Sequence, residues 1–408
     1  MLRGAWLGVV LVLCAGCGST SHGSHARIAL QVPGCTRATA QAKQLSGVTT
    51  GMVPVPEAPF GVATDGGWSF VTLGGFSGFG ELGVFSDRGL APHLVRTLPL
   101  PVLGAAGLTV TPDRRFLLVA AGSGAMVLSL ARIEAGLPHA LVGTLSAGGA
   151  TGSRLASAIE VATSPDGRFA FVSLEYAGRI AVYDLRAAAK SGFHRSGLVG
   201  LIPVGQVNVG LAVSPDGRWL YATSEAGDFP VTPPHRGTLT VIGVPEAERN
   251  PARSVVATVR AGCDPVRVVA SPDGSVVWVT ARGSNALLGY AAAGLRNDRA
   301  HALLAVVQVG AEPVGMTLID GGKRAILMDS DRFDLPGKQS GLAVVDTGRA
   351  LQGKPALLGT IAAGAFPLEA AAEPGEHVLL VSNFASGEVE AVKLGDLPWK
   401  SLASGAGG

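Results

Sequence analysis

The sequence predicts an all-β chain folded as a seven-bladed β-propeller of four-stranded blades. Three observations carry this prediction. A Ser-Pro-Asp-Gly turn, intact or degenerate, recurs along the chain. A short apolar strand stands on either side of each turn. Charged residues make up only 15% of 408 residues, while Gly numbers 58 and Pro 25, a composition suited to many short buried strands joined by tight turns.

The intact turn stands at Ser164–Gly167, Ser214–Gly217 and Ser271–Gly274. Degenerate forms are Thr111-Pro112-Asp113-Arg114, Ile319-Asp320-Gly321-Gly322 and Glu373-Pro374-Gly375-Glu376, with a shortened Thr64-Asp65-Gly66-Gly67. Pro presets φ at the first corner, Asp caps the turn through its side chain, and Gly takes the positive φ that closes it. The strands after the turns begin at Phe70, Leu118, Phe171, Tyr221, Trp278, Ile326 and Leu380, on a period of about fifty residues. A third strand follows in most repeats, as at Arg179–Asp184, Gly237–Val244 and Gly341–Asp346. A fourth precedes the next turn, as at Leu198–Val204, Val255–Val259 and Leu357–Ile361. One blade cannot bury both faces of its sheet; stacking blades in a closed ring buries them all. A two-domain β protein would leave the single repeat from 58 to 394 unexplained. The last repeat ends on its third strand, Glu388–Lys393, so Gly51-Met52-Val53-Pro54-Val55 is expected to supply its outer strand and close the ring. Pro54 suits such an edge, where an N–H is not needed.

The chain divides into a targeting segment (1–16), a tether (17–48), the propeller (49–400) and a flexible tail (401–408). Arg3 precedes an apolar run, Ala5–Leu13, too short to span a bilayer as a helix. Leu13-Cys14-Ala15-Gly16-Cys17 resembles the bacterial lipoprotein cleavage box, which makes Cys17 the candidate lipidation site. Cys14 stands where that box usually has Leu, so plain secretion stays open. Lipidation would anchor the protein durably to the membrane. Gly18 and Ser19 supply no Asp for inner-membrane retention, which favours the outer membrane where the cell has one. The Ser/Gly-rich stretch with His22 and His25 reads as solvated linker rather than a metal site.

Cys35 and Cys263 remain, in a compartment where leftover thiols commonly pair. A bridge between them would close more than half the chain and contribute roughly 4–5 kcal/mol in the entropic model. Two unpaired buried cysteines are the alternative. A net charge of +2 gives no reason to expect nucleic acid as a partner.

Gly210-Leu211-Ala212-Val213-Ser214-Pro215-Asp216-Gly217-Arg218-Trp219-Leu220-Tyr221-Ala222-Thr223-Ser224 resembles the YVTN-type propeller repeat, and the likeness covers residues 58–394. It implies the fold and not the function, since related repeats occur in surface-layer proteins, lactonases and extracellular binding proteins.

In a propeller, the start of each innermost strand and the loop after each second strand share one face. Five residues before the turn Pro, or at the equivalent position where the turn lacks one, the repeats hold Gly61, Gly107, Glu160, Gly210, Arg267, Gly315 and Glu369. Glu160, Arg267 and Glu369 are therefore candidates to meet at one channel mouth. They would either pair with one another along a wet channel or form a polar ligand site. Long loops on the same face add Glu225, Asp228 and His235 as ligand-binding candidates. Asp329, Asp331 and Asp334 offer oxygen ligands at short spacing, for a hard cation such as calcium or simply as a solvated acidic loop. No cofactor is required.

Lactonase-type propellers usually place His near the start of their inner strands. The corresponding column here is Phe60, Ala106, Ile159, Val209, Val266, Val314 and Leu368, and no histidine falls in it or in the next. The expected function is a non-catalytic cell-envelope binding scaffold, with an envelope protein, a glycan or a small polar molecule as partner. A lactonase-like or other hydrolase, with Arg267 and Glu160 or Glu369 in acid–base roles, is the alternative.

Overall fold

A computed structural model describes residues 29–75, 78–86, 89–151, 156–227, 236–334, 337–375 and 377–397. Cys17, Asp228, His235 and the 401–408 tail lie outside the described residues.

Local turn chemistry creates the strand pairs. In each intact turn the serine hydroxyl meets the aspartate carboxylate at 2.5 Å. That carboxylate also accepts the N–H of the residue after the glycine at 3.0 Å. Gly167, Gly217 and Gly274 take φ of +65°, +69° and +70°, the region that glycine enters without steric cost. The turn is satisfied within itself, so it needs no support from the rest of the blade.

The turns join innermost strands Pro59–Asp65, Leu108–Val110, Ala158–Thr163, Gln206–Val213, Pro265–Ala270, Pro313–Ile319 and Pro367–Ala372 to their second strands. Third and outermost strands complete seven four-stranded antiparallel sheets, a seven-bladed β-propeller. Thr50–Pro54 is the outermost strand of the last blade, pairing antiparallel with Glu388–Lys393 from Thr50↔Val392 to Pro54↔Glu388. The ring is thus closed by the N-terminal segment, with Pro54 on the free edge.

The apolar residues resolve into seven interblade cores, one for each neighbouring pair of blades, and an eighth on the axis. Phe70, Leu82 and Val84 of the first blade meet Leu117, Val119 and Leu128 of the second; Val378 and Leu380 of the last meet Val71 and Phe85 of the first. Alternation along each strand sends successive side chains to opposite neighbours, which is why both faces of every blade are buried.

Polar side chains also tie blade to blade. Thr72, Ser173, Thr223, Thr280 and Ser382 hold one repeat position, the fifth residue of the second strand. Each hydroxyl accepts an N–H from its own innermost strand: Gly61, Glu160, Gly210, Arg267 and Glu369 respectively. Each donates to a carbonyl of the next blade: Ala106, Val209, Val266, Val314 and Phe60. Where Ala120 replaces the hydroxyl, a backbone bond from Gly107 N–H to the Ile159 carbonyl makes the link. Close approach explains the glycines: a Cβ on Gly210 would lie 2.3 Å from the Val266 carbonyl oxygen, and one on Gly61 2.7 Å from that of Ala106.

Residues 29–48, which composition assigns to the tether, lie along the propeller. Thr36 N–H bonds to the Gly283 carbonyl, Ala40 N–H to that of Val309 and Leu45 N–H to that of Thr360. Asn285 donates to the carbonyls of Thr36 and Ala38. Cys35 and Cys263 form a disulfide, with Cα atoms 5.3 Å apart. This strap crosses the edges of the fifth and sixth blades and continues into the closing strand. Ser/Gly-rich composition could not reveal it, because its order comes from backbone bonds and one covalent link. No helix among the described residues is long and apolar enough to cross a membrane.

Candidate functional site

The site begins with a backbone irregularity. In six of the seven blades the innermost strand carries a register shift at its first residues, as between Pro59 and Val62 or Ala158 and Val161. Two residues before the axial column, Ser157, Val207, Asp264, Glu312 and Phe366 take left-handed φ between +46° and +54°. Such a conformation is costly for non-glycine residues and most so for β-branched Val207. The kink and the bulge together re-aim the chain at the channel mouth.

Phe60, Ala106, Ile159, Val209, Val266, Val314 and Leu368, one from each blade, then meet around the axis with Phe366 as a single apolar cluster. Phe60, Ile159, Val209, Val266, Val314 and Leu368 of this cluster form the floor of a mouth cavity of about 780 Å³. The next column lies behind that floor. Arg267 contacts both carboxylates: its Nε lies 3.5 Å from Glu160 Oε2, and its Nη2 touches Glu369 Oε1. The three charged residues of that column therefore converge, as their spacing implied, and are paired with one another. Burial pushes the Glu160 carboxyl up to about 7; Arg267 opposes the shift and Glu369 adds to it. Burial also raises Glu369, again against the pull of Arg267. Arg267 is also among the residues that line the cavity.

The rim is charged and aromatic. Glu175, Glu225 and Arg282 hold one repeat position: just past the second strand in the third and fifth blades, and within the longer second strand Trp219–Ala226 in the fourth. Arg282 Nη2 lies 2.9 Å from Glu225 Oε2 and 3.9 Å from Asp264. The Ser157 hydroxyl donates to Glu175 at 3.0 Å. Burial raises the Glu175 carboxyl, and the neighbouring Glu225 raises it further. Arg332, from the sixth blade, stands 5.6 Å over the Phe333 ring and 5.7 Å over that of Phe366. Burial and the Arg282 charge lower its pKa. Tyr176 and Phe333 also line the cavity. With Phe79 and Leu103 they are the four most exposed large hydrophobic residues described, at 58–80% exposure. Phe79 pairs with Leu103 across adjacent strands at the same rim.

Of the sequence candidates, Glu225 and Arg267 line this cavity and Glu160 and Glu369 lie behind its floor. Asp228 and His235 fall outside the described residues. Asp329 is buried away from the cavity and accepts the Gly310 N–H at 3.1 Å. Asp331 and Asp334 follow in a left-handed loop. Among the described residues no three His, Cys, Asp or Glu side chains form a group able to hold a metal. Sequence reasoning passed over Glu175, Arg282 and Arg332. The signal for the first two was present, since they occupy the same repeat position as Glu225.

Fold and site together define a propeller with an apolar-floored, charge-rimmed mouth. The architecture is similar to that of Kuenenia stuttgartiensis hydrazine synthase, with a TM-score of 0.63 at 16% identity over 84% of this chain and 97% of that one. At that identity the likeness is one of fold. No protein-family model and no curated protein sequence matches the chain.

Proposed function

We propose that this protein is a non-catalytic, lipid-anchored propeller of the cell envelope that binds its partner at the channel mouth. The mouth cavity carries the reading. It is concave, floored by aliphatic side chains and edged by a few polar groups, the usual form of a binding site. Its volume of about 780 Å³ falls in the range of such sites. The charged column beneath favours binding over hydrolysis, because Arg267 is engaged by two carboxylates and no histidine lies in either inner column. The Cys17 box supports the anchor.

Three measurements test the reading. Purified envelope glycans and envelope proteins are titrated into the wild type and into Val209→Trp, which fills the cavity floor. The reading requires a ligand that the wild type binds and the filled variant does not. Turnover of simple lactones that vanishes in Arg267→Ala would replace it with the hydrolase. For the anchor, Cys17→Ala is expected to release the protein from the membrane fraction.

A further inference from the structure

The four most exposed large hydrophobic side chains described, Phe79, Leu103, Tyr176 and Phe333, come from the first, third and sixth blades. Single exposed apolar residues are ordinary on a protein surface. Their gathering at one rim is not, and such a gathering marks a binding surface. Leu103, Tyr176 and Phe333 line the mouth cavity itself. Charge at the mouth, by contrast, is answered from within the protein. Arg267 lies beside Glu160 and Glu369, and Arg282 beside Glu225 and Asp264. The carboxylates of Glu225, Glu175 and Glu312 attract Arg332. An ionic ligand would have to break into these groupings. A charge pair still keeps hydrogen-bonding capacity, because a guanidinium has five N–H donors and a carboxylate accepts at both oxygens. The Arg282–Glu225 contact at 2.9 Å engages one nitrogen and one oxygen. Further donors and a second acceptor remain on two residues that both line the cavity.

We propose that the mouth cavity takes an uncharged pyranose oligosaccharide, its sugar rings against Tyr176 and Phe333 and neighbouring hydroxyls on the Arg282–Glu225 pair. This inference rests on the binding reading above and names the class of ligand. A pyranose joins an apolar C–H face to a polar edge. Its C–H groups carry partial positive charge and match the negative face of an aromatic ring. Each hydroxyl both donates and accepts, so two neighbouring hydroxyls match a donor standing beside an acceptor. An apolar peptide side chain would cover the same pair without bonding to it, and would bear the cost of desolvating it. A cavity of about 780 Å³ encloses a ligand of a few rings.

The test is a calorimetric screen of the wild type against a panel of neutral oligosaccharides, maltotriose, cellotriose and tri-N-acetylchitotriose among them. Their uronic-acid and free-amine counterparts and an apolar tripeptide are titrated beside them. A neutral glycan is expected to bind, and to bind tighter than its charged counterparts and the peptide. Tyr176→Ala and Phe333→Ala should each weaken it about threefold to tenfold, the scale of one aromatic contact. Tyr176→Phe keeps the ring and should keep most of the affinity. These side chains sit at the rim, and a thermal melt verifies that each variant is folded. The inference is overturned if no neutral glycan binds, if a charged sugar or the peptide binds tighter, or if removing both rings changes nothing. Mouth binding survives that result where an envelope protein or another ligand is bound by the wild type and lost in Val209→Trp. Should Val209→Trp abolish no binding at all, the mouth-binding reading itself falls.

Discussion

The Ser382 hydroxyl of the last blade donates to the Phe60 carbonyl of the first, 2.6 Å away, while accepting the N–H of Glu369. One buried side chain thus joins the two ends of the ring at the level of the site. It orients Glu369, which engages Arg267, and it fixes Phe60, which floors the cavity. The same hydroxyl position does this at four other blade junctions, so the ring that holds the fold together is also the ring that aims the site.

Ser382→Ala should lower stability by about 1–3 kcal/mol, because it leaves a buried carbonyl and a buried N–H without their partner. Thr223→Val, which keeps the shape and removes the hydroxyl between Gly210 N–H and the Val266 carbonyl, should behave alike. Urea unfolding followed by tryptophan fluorescence measures both. An unchanged midpoint in both variants would show that the hydroxyls are dispensable.

The strap gives a second prediction. Cys35 and Cys263 are 228 residues apart, and their bridge pins the segment that leads into the closing strand. Cys35→Ser with Cys263→Ser should destabilise the protein by up to about 4–5 kcal/mol in the entropic model. Reduction of the wild type should lower its melting temperature to that of the double variant.

The repeat made the fold legible, because turn chemistry and strand period are local and recur. Even ring closure could be read to within a residue, since the last repeat lacked one strand and Gly51–Val55 stood unassigned before the first, where the structure has Thr50–Pro54. The convergence of Glu160, Arg267 and Glu369 was legible too, from three charges in a column of glycines. The rim was legible only in part. Glu175 and Arg282 share the repeat position of Glu225, a signal the aligned repeats carry, but Arg332 sits in a loop whose path the repeat does not specify. The strap at residues 29–48 was hidden for a different reason: its order depends on partners such as Gly283 and Thr360, far away in sequence.

Acidity should stabilise the fold. Burial raises the Glu160 carboxyl from the ordinary 4.5 to about 7, and Glu369, Glu390 and Asp329 shift the same way for the same cause. A carboxyl whose folded pKa is raised holds its proton more tightly in the native state. Its contribution is fully present below the unfolded pKa and is lost as pH rises through the folded one. The melting temperature should therefore decline between about pH 5 and pH 8. Glu160→Gln should flatten this decline, gaining on the wild type at the alkaline end. A wild-type curve that rises over the same interval would contradict the assignment.

Removing the guanidinium should cost more than removing the whole charged group. Arg267→Met leaves Glu160 and Glu369 facing one another in a buried site, a loss of about 3–5 kcal/mol by analogy with broken buried pairs. Adding Glu160→Gln and Glu369→Gln to that variant removes the stranded charges and keeps hydrogen-bonding capacity, so the triple variant should be more stable than Arg267→Met alone. The comparison separates charge from packing, because all three proteins carry the same Met in the channel once Arg267→Met/Glu160→Gln is included as the intermediate step. Stability should rise with each carboxylate removed. If the three variants unfold at the same denaturant concentration, the cost lies in lost packing around Arg267, and the column beneath the cavity is held by shape and not by its ion pairs.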